Sequence, residues 1–287
     1  MTKPDTPFAL SRPAFVDHVH LVVSDLAAVS DFYRRIIGLS VIERQASGEV
    51  LGAAGRPLLT LETRRDAVRA PRTAAGLFHT AFLLPSRADL AHWLAHAAES
   101  GVRLEGASDH LVSEALYLSD PEGNGIEIYR DRRPEEWTYH EDGTVEMATA
   151  RLDLQALHAS APAEPFAGTA EGTAVGHIHL QVGDVPEAET FYRDVMGLKL
   201  MARYPGASFF AAGGYHHHVA ANIWNSRNAG PRRPNMTGLA GYTLRFNDAP
   251  ALDATLASLE SRQIAVRRDG AEWSLHDPWG IGITLSS

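Results

Sequence analysis

The segment His18–Leu39, HVHLVVSDLAAVSDFYRRIIGL, returns without a gap as His177–Leu198, HIHLQVGDVPEAETFYRDVMGL. Identity is kept at His18/His177, His20/His179, Asp25/Asp184, Phe32/Phe191, Tyr33/Tyr192 and Gly38/Gly197, among other positions. A second pair of segments repeats at nearly the same offset, Asp120–Glu127 (DPEGNGIE) against Asp277–Thr284 (DPWGIGIT). A chain duplicated in this way must build its fold from repeated units. At 287 residues, each copy is long enough to form its own core.

Each copy reads as mixed α and β. His18–Ser24 alternates as a strand does, and Asp25 is placed to cap the helix that follows. Leu26, Val29, Phe32, Tyr33, Ile36 and Ile37 recur at helical spacing, and Gly38 stands where a helix takes a left-handed stop. Strands are predicted over Leu39–Arg44, Glu49–Leu51 and Leu58–Glu62. The order then recurs, with a strand over His79–Leu84 and a helix over Arg87–Ser100. Further strands are predicted over Val102–Leu104, Ala115–Leu118 and Gly125–Tyr129. The whole chain is therefore predicted to hold four strand–helix–strand–strand–strand modules. Its predicted divisions are an N-terminal tail 1–14, a first unit 15–130 (modules one and two), a linker 131–173 and a second unit 174–287 (modules three and four). The linker is charged and proline-bearing, with a short helix expected near Leu152–Ala159.

Composition removes several classes of function. The net charge of -9 argues against a binder of nucleic-acid backbones, which needs a basic face. The absence of cysteine excludes disulfides, thiolate zinc sites, iron–sulfur clusters and cysteine nucleophiles. No stretch approaches the roughly 18 apolar residues of a membrane span, and the N-terminus lacks the apolar core of a signal peptide, so the expectation is a soluble cytoplasmic protein. Chemistry is best sought among the 14 histidines, since imidazole is both the commonest metal ligand and the usual acid–base group near neutral pH. His92, His96, His140 and His158 read as ordinary side chains, solvated or satisfied by hydrogen bonds. Glu127 lies between Ile126 and Ile128, so alternation turns it away from the apolar face, and a carboxylate directed into a fold requires a partner.

The strand-one histidine with its following aspartate and FY…GL helix, Gly76–Phe82 (GLFHTAF) and Ser108–Tyr129 (SDHLVSEALYLSDPEGNGIEIY) together resemble the vicinal oxygen chelate superfamily. That superfamily includes glyoxalase I, bleomycin-resistance proteins and the type I extradiol catechol dioxygenases. The resemblance covers most of residues 15–130 and 174–287. With Gly213–Trp224 (GGYHHHVAANIW), it is strongest to two-domain catechol-2,3-dioxygenase-like proteins. It implies an α+β fold in which four β-α-β-β-β modules pair into two cupped, barrel-like mixed sheets with helices outside. A divalent metal would sit inside a cup.

What the resemblance implies for the site follows position by position. His79 and Glu127 match two metal ligands, and the first-strand histidine of a partner module supplies the third. Two histidines and a carboxylate form the facial triad that suits Fe(II), with Mn(II) sharing the set. The third ligand is His18 if module one pairs with two, and His177 if two pairs with three. His177 is favoured because the family places an acid–base histidine on the last strand of the module that gives this ligand. Module three offers His216, His217 and His218 there, with His217 the best match, whereas Gly55–Leu59 of module one offers none. Module four has no counterpart of His79 near Tyr242 and carries Thr284 in place of the glutamate, so its cup reads as inactive. Tyr117 matches a tyrosine that bonds the substrate oxygen. His110 resembles a histidine that contacts dioxygen or the substrate, at a spacing off the common pattern by about two residues. Tyr215, Trp224 and Phe209 or Phe210 are expected to line the pocket.

The implied activity is ring opening of an aromatic diol by O2 beside the hydroxyls, with Fe(II) and without a nicotinamide or flavin, in aromatic-compound breakdown. Small-molecule diol and O2 are the implied partners, with no nucleic acid or membrane, and the oligomeric state is open. Two rival readings are a glyoxalase I-like isomerase and a non-enzymatic binder of the bleomycin-resistance kind. The first needs a second metal carboxylate, which module three lacks. In module one Glu62 stands two residues beyond the expected register, where Thr60 sits.

Overall fold

The computed structural model describes residues 6–287, so the first five residues of the N-terminal tail lie outside it. Module one runs β1 (Ala14–Val23), α1 (Leu26–Phe32), β2 (Ser40–Gln45), β3 (Gly48–Ala53) and β4 (Arg56–Thr63). Module two runs β5 (Gly76–Leu83), α2 (Arg87–Glu99), β6 (Gly106–Asp109), β7 (Ser113–Ser119) and β8 (Gly125–Asp131). The linker adds β9 (Ala150–Arg151) and α3 (Leu154–His158). Module three holds β10 (Ala174–Gln181), α4 (Val185–Glu189), β11 (Lys199–Tyr204), β12 (Ala207–Ala211) and β13 (Val219–Asn222). Module four holds β14 (Gly238–Phe246), α5 (Ala249–Ser261), β15 (Arg267–Asp269), β16 (Glu272–His276) and β17 (Gly282–Ser286).

The duplicated segments fold alike for local reasons. The Asp25 carboxylate accepts the Ala28 N–H at 3.0 Å, and that of Asp184 accepts the Glu187 N–H at 2.8 Å, so each starts its helix. Both helices end on a widened turn, with the Leu39 N–H donating to Tyr33 O and the Leu198 N–H to Tyr192 O, each at 3.0 Å. Gly38 then takes φ +90°, and a Cβ there would stand 2.8 Å from the Phe166 ring and the Thr169 nitrogen.

Pairing of the modules sets where a site can form. The nine-stranded sheet has the order β11-β12-β13-β10-β5-β8-β7-β6-β9, so modules two and three share one cup. The eight-stranded sheet has the order β15-β16-β17-β14-β1-β4-β3-β2, which joins modules four and one. At the centre of each cup two first strands run antiparallel, β5 beside β10 and β1 beside β14. Within each module the first strand lies parallel to the last, as β5 does to β8. The outer faces of both sheets and the helices close one apolar core, in which Val19 and Leu21 join Ile178, Leu180, Ile126 and Ile128. The fold is thus α+β, with two curled mixed sheets and few helices. Among the described residues no helix is long and apolar enough to cross a membrane.

Two local expectations shift. The strand expected at Val102–Leu104 begins instead at Gly106, opposite Tyr117, because Val102 and Leu104 turn their side chains onto the core. His216–His218 precede β13 and do not lie on it. Gly213 and Gly214, at φ +62° and +79°, swing the chain off β12, and the ladder resumes where the His218 N–H donates to Phe210 O at 2.8 Å. The segment after β8 holds the short helix expected there, α3; in addition β9 extends the nine-stranded sheet beside β6, and Trp137 is buried against Phe8 and Tyr215 at the closed end of the cup.

Candidate metal centre

Register across the nine-stranded sheet brings the residues together. His177 on β10 stands opposite Ala81 on β5, Ala81 opposite Glu127 on β8, and Glu127 opposite Tyr117 on β7. His79 lies on the same face of β5, two residues before Ala81. Ala81 is fully buried, and its small side chain leaves room for the ring and carboxylate on either side to meet above it.

They do meet. His79 Nε2 is 2.8 Å and His177 Nε2 3.1 Å from the same oxygen, Oε2 of Glu127. His79, Glu127 and His177 are only 6%, 2% and 1% exposed, and their ligand atoms lie within 4.8 Å of one another. His79 Nε2, despite that distance, has no hydrogen bond among the described residues, and neither does His177 Nδ1. Two imidazole nitrogens converging on one carboxylate oxygen, with a buried nitrogen left unsatisfied, fit a divalent cation. Burial alone would push the Glu127 carboxyl up. Its interactions with His177 and His79 outweigh burial and hold it well below the usual carboxylate range. Burial, partly offset by Glu127, lowers the His177 imidazole to about 4, which leaves it neutral and able to ligate.

The group opens on a cavity of about 750 Å3, within the size range of small-molecule sites. His79 and Glu127 reach its wall, while His177 lies deeper, under the His217 ring at 4.0 Å between centroids. Phe78, Phe209 and Trp224 supply apolar rings around it. Tyr215 does not line it. Its hydroxyl donates to Asp131 at 3.0 Å and contacts the Tyr129 hydroxyl at 2.8 Å in the closed end of the cup. Phe210 is buried in the core behind the sheet.

Tyr117 and His110 also reach the cavity and are bonded to each other, His110 Nε2 to Tyr117 Oη at 2.7 Å. His110 Nδ1 is 2.6 Å from Ala148 O of the linker. A carbonyl only accepts, so Nδ1 carries the proton, and Nε2 accepts the Tyr117 hydroxyl. Burial and the nearby Glu127 charge push the Tyr117 phenol well up, so it stays neutral.

Sequence reasoning missed His179 as a site residue. It pairs with His79 across β10 and β5, with ring centroids 4.9 Å apart, and lines the cavity. The signal was present, since His179 shares the alternation of His177 on one strand face. The Trp224 N–H donates to Asn222 Oδ1 at 3.1 Å, which turns Asn222 Nδ2 toward His179 Nε2 at 3.0 Å. His179 Nε2 therefore accepts, and its proton sits on Nδ1. Burial, reinforced by His79, lowers its pKa well below the ordinary value, so the ring is a neutral donor.

The other cup brings no such group together among the described residues. Gly241 faces His20 as His79 faces His179, and Thr243 is aligned with Thr284 as Ala81 is with Glu127. His18 bonds Thr60 at 2.7 Å, and His20 pairs with Glu62 at 2.8 Å.

Comparisons with known proteins agree in kind. The sequence model of the Glyoxalase/Bleomycin resistance protein/Dioxygenase superfamily matches residues 15–128 and 174–283. A catechol-2,3-dioxygenase of Bacillus subtilis (strain 168) is 39% identical over 274 residues, 94% of this chain and 96% of that protein. Biphenyl-2,3-diol 1,2-dioxygenase 3 of Rhodococcus globerulus is 36% identical over 77 residues, 26% of this chain and 40% of its own length. Among solved structures, one from Bacillus subtilis subsp. subtilis str. 168 superposes with a TM-score of 0.64 at 15% identity, covering 94% of this chain and 84% of that one. Glyoxalase I from Zea mays gives 0.57 at 14% identity, covering 97% of this chain and 94% of that one. At these identities the two structures speak for the fold alone.

Proposed function

Because the chain belongs to the Glyoxalase/Bleomycin resistance protein/Dioxygenase superfamily, we propose that it is an extradiol dioxygenase. It would cleave the ring of a catechol-type diol with O2 at a non-haem Fe(II) held by His79, Glu127 and His177. The observation that carries this reading is the convergence of two buried histidines on one buried carboxylate beside an aromatic-lined cavity. Bound there, Fe(II) would supply the charge that acidifies a chelating diol and the redox centre at which O2 reacts.

The chain's own residues do the rest. Phe78, Phe209 and Trp224 hold a flat ring by its apolar surface. His179, with its proton on Nδ1, donates to a substrate oxygen beside the metal ligands. The Tyr117 hydroxyl, keeping its proton, can turn from His110 Nε2 to donate to a substrate oxygen. His217 takes a proton from the diol and returns it as the ring opens. Its burial lowers the imidazole pKa well below the ordinary value, with the neighbouring His177 adding to the effect, so the resting ring is a free base. A glyoxalase-like reading finds no support at this group, which holds one carboxylate, while β13 carries no acid.

The test is anaerobic reconstitution with Fe(II), followed by oxygen uptake with catechol and its alkyl-, aryl- and carboxy-substituted forms. The reading expects consumption of O2 equimolar with diol and a yellow ring-opened product. Iron that stays bound while none of these diols drives oxygen uptake would overturn it.

A further inference from the structure

Three consecutive histidines precede β13, and the structure gives each a different set of partners. His218 Nε2 is 3.0 Å from Ala9 O, and its Nδ1 accepts the Ala212 N–H at 3.3 Å. His218 thus carries its proton on Nε2 and ties the N-terminal segment to the sheet. His216 is fully buried. Its Nε2 is 2.9 Å from Oδ1 of Asp131, and its Nδ1 is 2.8 Å from Nδ1 of His217. Asp131 ends β8 on the strand face that carries Glu127, so it reaches this loop from the other module of the cup.

With both rings neutral, these contacts allow one arrangement of the protons. A carboxylate only accepts, so His216 Nε2 carries the proton that bonds Asp131. A neutral imidazole then has its lone pair on Nδ1, which can only accept, so the donor between the two rings is His217 Nδ1–H. One position remains. His217 Nε2 is left as a lone pair, has no hydrogen bond among the described residues, and belongs to a ring that lines the cavity.

We propose that Asp131 and His216 are positioning residues that hold His217 in its Nδ1–H tautomer, with the basic Nε2 free to take a proton from the substrate. The proposal rests on the reading of His217 as the acid–base group. In the step it serves, the substrate O–H bond breaks, an N–H bond forms at His217 Nε2, and no electrons change hands. The positive charge that appears on His217 is then shared through the Nδ1–H bond with His216 and balanced by Asp131. The same arrangement explains why the loop needs two adjacent histidines in addition to the one that anchors the N-terminal segment. A single histidine facing the cavity would be free to present either nitrogen.

The test combines two measurements. In the metal-free wild-type protein, long-range proton–nitrogen NMR correlations of the histidine rings report the tautomers directly. The expected pattern is Nε2–H for His216, Nδ1–H for His217 and Nε2–H for His218. In the iron-loaded protein, Asp131→Asn should lower kcat on the order of 10²-fold and no further than His217→Ala does, within the ~10²–10⁴ that one acid–base group supplies. Its KM and iron content should change little, and Asp131→Glu should recover part of the loss. Full activity in His217→Ala would remove the acid–base reading, and the proposal with it. A crippled His217→Ala beside an Asp131→Asn of normal kcat would overturn the relay alone. If Asp131→Asn does not fold, the wild-type spectrum still decides, because a His217 protonated on Nε2 contradicts the proposal.

Discussion

Asp277, in the turn of module four that repeats Asp120, should make folding stability depend on pH in an unusual direction. The residue is 5% exposed, and its carboxylate accepts the Tyr192 hydroxyl at 2.9 Å and the Trp279 and Ile281 N–H groups at 2.9 and 2.8 Å. Burial nevertheless dominates and pushes its pKa up to about 6. In the unfolded chain the same carboxyl titrates near 3.9. Between these values the folded chain binds more protons than the unfolded one, so stability is fully present below about pH 4 and falls as pH rises through about 6. A displacement of about 2 units corresponds to roughly 3 kcal/mol lost by pH 7.5. Asp277→Asn removes the ionisation. The amide oxygen can keep both backbone donors while the Tyr192 hydroxyl turns to accept. Urea unfolding of both proteins at steps from pH 4 to pH 8 isolates the effect as a difference. The variant should match the wild type near pH 4 and exceed it by up to about 3 kcal/mol at pH 7.5, a midpoint gap of about 1 M for an m-value near 3 kcal/mol/M. Parallel pH curves for the two proteins would refute the argument.

Other outcomes follow from the cup. His79→Ala and Glu127→Ala should each lose tight Fe(II) binding, read as iron per chain after desalting, while far-UV circular dichroism stays native because the apolar core does not involve the metal. Ala81→Leu should thrust an isobutyl group between His177 and Glu127, cost about 1–3 kcal/mol by overpacking and weaken Fe(II) binding with all three ligands intact. Competition against a chelator would show the weakening, and unchanged iron affinity would contradict the geometry. His217→Ala should keep its iron and bind catechol anaerobically, yet turn over ~10²–10⁴ more slowly, as catechol titration beside oxygen uptake would show.

What was legible in the sequence was local or periodic. Asp25 and Gly38 announce the ends of one helix, and the turn before β8 repeats before β17. The place of Glu127 between two isoleucines assigns it to a face before any fold is known. Pairing of modules is a tertiary choice, and only the asymmetry of His216–His218 against Gly55–Leu59 pointed to it. The contacts that bind Asp131 to His216, and Ala148 to His110, join residues far apart in the chain and leave no periodic trace. His179 was visible as half of a repeated pair, but its bond to Asn222 depends on the parallel register of β10 with β13. The linker read as a connector because its charges and prolines hide a segment that caps the cup and extends the sheet.

If modules two and three build the metal site, iron content in two single variants will separate the two cups. His177→Ala and His18→Ala remove equivalent histidines of the repeat, each from the centre of a different cup. After anaerobic Fe(II) loading and removal of excess metal, His18→Ala should retain iron at the wild-type level of one per chain, and His177→Ala should retain almost none. Loss of iron from His18→Ala with full retention in His177→Ala would place the metal in the cup of modules one and four instead.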